Sequence, residues 1–441
     1  MKNGVLNRVS RLVVMVVLLF ALLPAVQAQQ EDAPVISPEL TTYLDQLEAT
    51  VVRVRGLEPL FQVERYFPTR DEVAAFIQSS YEEFLTDEIV LRETEFYRAF
   101  DFVGDDFDLE QVYINFLSSQ VAGYYNTETQ QMNTVLLSGE APGDSLPLLE
   151  RITYAHEYTH ALQDQYFDLD AIQSGAAENE PDLALAILSL IEGDATLAMQ
   201  EYLLIDAQDN PGEIFSILFD PDLLSGAEIP EGTPEILEAE LLMPYQVGLV
   251  FVQALVEAGG WETVNNAYED LPQSTEQIIH PDRYLNRDVP QEVEVVDAIE
   301  ALEGDGWVTL AERTLGEFYL RRYLVNLLPP SLVNQAATGW GGDRYILYYN
   351  ENADERAFVL NLAWDTPEDA AEFTDAYRDY AALRTESETP VEDALVPDNA
   401  SCWVADATAE AICLAETDGG QSISYAPSLA DAITLLTAQI N

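Results

Sequence analysis

The sequence predicts an α+β protein, with a largely helical N-terminal domain followed by a small α+β C-terminal domain. Three observations lead to that class. Segments with apolar residues at helical spacing fill most of the chain up to about residue 328. Pro329-Pro330 interrupts the pattern, and beyond it short runs of β-branched and aromatic residues alternate with turn residues. Apolar residues make up 48% of the 441 and aromatics 10%, which supplies a core for two domains and excludes a disordered or collagen-like chain.

The N-terminus reads as an export signal. Lys2, Arg8 and Arg11 precede an apolar run from Leu12 to Leu23, followed by Pro24 and Ala25-Val26-Gln27-Ala28, so cleavage is expected after Ala28. The run is short for a membrane span, although an uncleaved anchor is the alternative. No later run of about 18 apolar residues lacks a charge, so the mature chain is expected to be exported without stable membrane insertion. The expected division is residues 1–28 as signal peptide, 29–330 as the helical domain and 331–441 as the small α+β domain.

From Ser37 to about Asn115 the spacing predicts successive amphipathic helices, such as Thr69 to Leu85. Gly123 to Asn126 and Met132 to Leu137, separated by a turn-like Thr127 to Gln130, read as a hairpin. After Pro142-Gly143-Asp144 a helix is expected from about Leu146 to Gln165. A second, from about Asp182 to Leu204, is almost continuously apolar and so buried. Residues 205–234 carry four prolines and read as a loop or lid. Helices are expected again at about Pro234 to Ala258, Trp261 to Tyr268 and Leu310 to Leu328. Past the proline pair come strands at Tyr345 to Tyr349, Ala357 to Ala363, Cys402 to Ala405, Ala411 to Ala415 and Ser422 to Tyr425, with helices at Pro367 to Ala382 and Pro427 to Gln439. Cys402 and Cys413 fall on neighbouring strands. In an exported chain they form either a disulfide or two buried thiols.

Charge removes several function classes. Asp and Glu number 79 against 19 Lys and Arg, a net charge of −60, and Lys2 is the only lysine. A field of that sign repels nucleic acid and anionic lipid. Two cysteines provide neither a disulfide scaffold nor a Cys-based zinc ribbon.

The chemistry concentrates in His156-Glu157-Tyr158-Thr159-His160, which holds two of the three histidines of the chain. Four-residue spacing on a helix sets both imidazoles on one face, a turn apart, where they can share one tetrahedral ion. Glu157, beside the first histidine, can take a proton from a water activated by the metal. A catalytic zinc needs a third protein ligand. Glu192, in Ile191-Glu192-Gly193-Asp194-Ala195, is the candidate, because a carboxylate in the most apolar helix of the chain needs a cation. That cation is zinc or else an arginine, and Asp194 is a weaker alternative ligand. Gly193 weakens the helix, which points to a close approach by a neighbouring element.

Together, His156-Glu157-Tyr158-Thr159-His160-Ala161-Leu162-Gln163-Asp164-Gln165 and Glu192-Gly193-Asp194-Ala195 resemble the gluzincin-type zinc metallopeptidases, in particular poorly characterised secreted bacterial members. The resemblance is sharp over about residues 120–285. It implies a zincin-like fold, Zn2+ held by His156, His160 and Glu192, Glu157 as general base, and a peptide or protein substrate. The interval from His160 to Glu192 is longer than in thermolysin-like enzymes. His280, the third histidine, is expected to stabilise the oxyanion, with third zinc ligand or structural histidine as its alternatives and Tyr284 as a weaker oxyanion donor. Asp164 either accepts from an imidazole or caps backbone. Gly123 to Val135 corresponds to the edge strand that aligns substrate in zincins, with Tyr124 or Tyr125 lining the cleft, or is an ordinary hairpin with both tyrosines in the core. The expected activity is that of a secreted zinc-dependent endopeptidase; the alternative is a non-catalytic secreted binding or envelope protein with a structural zinc site.

Overall fold

The computed structural model describes residues 36–73, 75–76, 78, 85–112, 123–136, 142–177, 180–212 and 232–440. The expected signal peptide and most of the expected 205–234 loop lie outside them. The protein is α+β, with 54% helix and 16% strand, a helical N-terminal part and a six-stranded sheet near the C-terminus.

Helix α1 (Pro38–Arg55) starts on Ser37, whose hydroxyl accepts from the Leu40 N–H, and stops at Gly56 in the left-handed conformation. A short strand β1 (Glu64–Tyr66) follows, where only helices were expected. Three residues are too few to display a two-residue period, and the strand exists because it pairs in parallel with a distant one. Helix α2 (Asp87–Ala99) carries Phe96 and Tyr97 into the core. The expected hairpin forms as β2 (Gly123–Asn126) and β3 (Gln131–Thr134), giving a small sheet in the order β1-β3-β2.

The centre of the molecule is a set of long helices: α3 (Leu148–Phe167), α4 (Leu169–Ala177), α5 (Pro181–Asp209) and α6 (Glu235–Gly259). Two contacts show α3 and α5 to be antiparallel: Gln163 near the end of α3 meets Ile191 early in α5, and Arg151 at its start meets Asp206. α5 and α6 cross at a pair of glycines. A Cβ on Gly193 would lie 2.3 Å from the Gly248 carbonyl oxygen, and one on Gly248 2.2 Å from that of Ser189. The close approach expected at Gly193 is therefore that of a neighbouring helix backbone. By length and composition α6 is apolar enough to cross a membrane, but half of that stretch is buried inside the protein.

Three short helices follow, α7 (Trp261–Ala267), α8 (Thr275–Ile279) and α9 (Pro281–Leu285). The large sheet then begins earlier than expected. Trp307–Arg313, whose residues from Leu310 onward were read from sequence as the start of a helix, is strand β4, and the helix α10 is confined to Gly316–Val325. Helix α11 (Pro330–Ala337) leads into β5 (Trp340–Asn350), β6 (Glu355–Trp364), α12 (Pro367–Arg384), β7 (Ala400–Val404), β8 (Ala411–Thr417), β9 (Gly420–Ala426) and α13 (Leu429–Ile440). The sheet order is β4-β5-β6-β9-β8-β7, antiparallel throughout. It thus includes a strand upstream of Pro329-Pro330, and the boundary expected at residue 330 does not mark where the sheet unit begins. One face of the sheet shares a continuous core with the helices. Phe100 stacks on Phe358 at 4.7 Å, and Tyr345, Trp403 and Phe373 join the same cluster as Leu190 and Leu249. Arg356, Arg384 and Arg313 pair with Glu95, Asp101 and Glu93 across the same junction. The other face is covered by α13 and holds Cys402 and Cys413, cross-strand partners joined by a disulfide.

Candidate metal centre

The packing of α3 on α5 converges three side chains. His156 Nε2 lies 3.0 Å from Glu192 Oε2, His160 Nε2 lies 3.4 Å from the same oxygen, and the two Nε2 atoms are 2.9 Å apart. All three residues are buried, and among the described residues they form a group that could hold a metal ion. Tetrahedral ligands at about 2.0–2.2 Å from an ion stand about 3.3–3.6 Å from one another, so the triangle is within a few tenths of an ångström of an occupied shell. Two imidazole nitrogens and one carboxylate oxygen make a donor set that suits zinc, and the residues present fit such an ion.

Electrostatics reflect three ligand atoms sharing one buried space. Burial, reinforced by His160, pushes His156 down to about 4. Burial acts the same way on His160, but the Glu192 carboxylate outweighs it and raises the group to about 9. Burial would raise Glu192, yet the two imidazoles outweigh it and hold the carboxyl at about 2. For Glu157 burial wins: His160 and the Tyr125 N–H pull the carboxyl down without offsetting it, and the group is pushed up to about 8.

Glu157 is placed by strand β2. The Tyr125 backbone N–H donates to its carboxylate. A Cβ on Gly123 would lie 2.7 Å from Thr153 Cγ2 and 3.1 Å from Glu157 Cγ, so the strand rests flush on α3 because that residue is glycine. The two neighbouring tyrosines belong to the core. Tyr124 stacks on Phe76 at 4.9 Å, and the Tyr125 hydroxyl donates to Asp164 at 2.9 Å. Asp164 also accepts from the Leu169 N–H, which makes it a cap of the next helix.

The acceptor for an imidazole is Gln163. Its Oε1 lies 2.8 Å from His160 Nδ1, and its Nε2 donates to the Ile191 carbonyl at 3.0 Å. Asp194 faces away from the triad and is held by Arg55 at 2.6 and 2.9 Å and by the Tyr268 hydroxyl at 2.9 Å, all buried. The arginine considered for Glu192 thus pairs two residues further on. Arg55 comes from α1, 139 residues away, and lies over the Trp261 ring.

The three-residue group does not include His280, which was expected to stabilise the oxyanion. His280 Nε2 lies 3.0 Å from Glu317 Oε1 on α10, and the Tyr284 hydroxyl donates to the Asp270 carbonyl. The reason is where this segment docks. Thr275, which opens α8, bonds Asp182 at the start of α5, and Asp182 is about 15 Å along the helix axis from Glu192. The aromatic group beside the triad is instead Tyr245, whose ring centroid lies 6.0 Å from that of His156. It follows Pro244 inside α6, and a proline within an otherwise apolar helix was the available sequence signal.

Residues 307–435 match the family described as a domain of unknown function (DUF8575). That segment corresponds to the large sheet with its helices, contains none of the triad, and is under a third of the chain. No curated protein and no solved structure matches the chain.

Proposed function

We propose that the protein is a zinc-dependent hydrolase, most simply an endopeptidase, working at His156, His160 and Glu192. The observation that carries this reading is the pairing of a three-ligand group with a carboxylate held beside it that ligates nothing. Structural zinc sites are closed by four protein ligands, whereas catalytic sites use three and leave one position for water or substrate. Among the described residues the group offers three.

Zinc, when bound, lowers the pKa of a water and polarises the carbonyl to be attacked. The chain does the rest. His156, His160 and Glu192 fix the position of the charge, and the Asp194–Arg55 pair anchors the helix turn that carries Glu192. Glu157, oriented by the Tyr125 N–H, would in its ionised form, which a bound cation favours, accept the proton from the attacking water and pass it to the leaving amine. With His280 paired to Glu317, Tyr245 is an aromatic ring that lies beside His156. The alternative is a secreted binding or envelope protein in which the zinc is structural. The expected N-terminal signal puts either protein outside the cytoplasm.

The test is metal analysis of the purified chain with casein hydrolysis, with and without chelator. Glu157→Gln should keep zinc and lose turnover by about 10³-fold or more. Glu192→Gln should weaken zinc strongly, and Asp194→Asn less. A wild type that holds no zinc after reconstitution defeats the metal reading. One that holds zinc with Glu157→Gln fully active defeats the assigned base.

A further inference from the structure

We infer that Gln163 is a positioning residue that fixes the tautomer of His160 and locks the two ligand-bearing helices in register. The inference deepens the metal reading above and rests on it. Gln163 is fully buried, so both ends of its amide need partners within the protein. One end faces the Ile191 backbone carbonyl at 3.0 Å. A carbonyl can only accept, so the amide nitrogen must lie on that side. The amide oxygen therefore faces His160 Nδ1, at 2.8 Å. An amide oxygen can only accept, so Nδ1 must carry the proton. In a neutral imidazole that leaves the lone pair on Nε2, the atom aimed at His156 and Glu192.

The chain of constraint thus starts at a main-chain carbonyl on α5 and ends at a ligand lone pair on α3. Ile191 is the residue before Glu192. The same amide therefore ties the position of one ligand to the orientation of another, and a slip of either helix would break both contacts. No carboxylate takes this part, since Asp164, the nearest candidate in sequence, is occupied by Tyr125 and Leu169.

The experiment uses the full chain with histidine-selective 15N labelling, which gives a simple spectrum because there are three histidines. It compares wild type, Gln163→Leu and Gln163→Glu by ring-nitrogen tautomer and by zinc affinity in competition with a chromophoric chelator. Wild type should show His160 protonated at Nδ1. Gln163→Leu should lose that preference and bind zinc about 10–100-fold more weakly. In Gln163→Glu the new side chain, in its protonated form, can donate to Ile191 and accept from His160. That variant should therefore restore the tautomer and come within a few-fold of wild-type affinity. Should Gln163→Leu fail to fold, the wild-type tautomer and Gln163→Glu still decide. A wild type whose neutral His160 ring carries its proton on Nε2 instead of Nδ1, or a folded Gln163→Leu with unchanged tautomer and affinity, overturns the inference while leaving the metal site intact. Absence of zinc binding by wild type overturns the metal reading and this inference with it.

Discussion

Gly193→Ala is the substitution whose consequence is most directly worked from geometry. The new Cβ would lie 2.3 Å from the Gly248 carbonyl oxygen, 2.4 Å from its carbon and 2.9 Å from the Leu249 nitrogen. Ordinary contact starts at 3.4 Å, so α5 and α6 must part by about 1.1 Å at the crossing. The obstructing atoms are backbone, and no side-chain rotation can relieve them. Alanine favours a helix over glycine by about 1 kcal/mol, and overpacking a core costs about 1–3 kcal/mol. The sum is a destabilisation of about 0–2 kcal/mol.

The larger effect should fall on the adjacent residue. Glu192 shares its peptide bond with Gly193, and metal–ligand distances tolerate only about 0.2 Å. A shift of about 1 Å should weaken zinc by about 10–100-fold even where the fold survives. Thermal unfolding and chelator competition measure the two terms separately. Gly419→Ala, where an added Cβ meets nothing within 4 Å, is the control. A Gly193→Ala protein as stable as wild type, with unchanged zinc affinity, would show that the helices do not meet at this distance.

Three further outcomes are expected. Arg55→Ala leaves the Asp194 carboxylate buried with the Tyr268 hydroxyl as its remaining partner, and should cost about 3–5 kcal/mol in denaturant unfolding; a loss under about 1 kcal/mol would contradict the buried pair. Burial pushes Asp182 up to about 8, with Asp343 and Glu317 adding to it, so the folded chain holds a proton there that the unfolded chain releases near pH 4. Its contribution is complete below about pH 4 and is lost as pH rises toward 8, and Asp182→Asn should flatten that part of the stability–pH curve; an unchanged slope would refute the assignment. A chain ended at Leu328 loses Tyr345 and Phe358 from the cluster around Phe100, and should be insoluble or lack a cooperative thermal transition; a soluble, cooperatively melting fragment would show the two parts to be independent.

The part of the site that follows helical geometry was legible in the sequence. Two histidines a turn apart must share a face, and a glutamate in the most apolar helix needed a partner, which the two imidazoles supply. Gly193 likewise announced a close approach. What escaped were partners chosen by tertiary packing. Arg55 meets Asp194 across 139 residues, and no local pattern on α1 marks it. Gln163 stood in the motif without a role, because an amide shows its partners only once α5 is in place. His280 was assigned through the resemblance, which carries no information about where this segment docks.

The early start of the sheet has a separate physical origin. Strand β4 reads Trp307-Val308-Thr309-Leu310-Ala311-Glu312-Arg313, and its pairing with β5 shifts register between Thr309 and Ala311. A bulge inserts one residue, so the two-residue alternation breaks in the middle of the strand and its apolar positions merge with the helical spacing of α10. The proline pair then drew the division to itself. Yet Pro329 precedes α11 and Pro330 opens it, the position where a fixed φ and a missing N–H favour a helix start. A proline that begins a helix carries the chain onward into the same core, and Val333, Ala336 and Ala337 of α11 are buried in the cluster that holds Leu324 and Tyr345. Breaker residues locate the ends of elements. Whether an end is also a domain boundary depends on where the apolar faces on either side are buried, and here they are buried against each other.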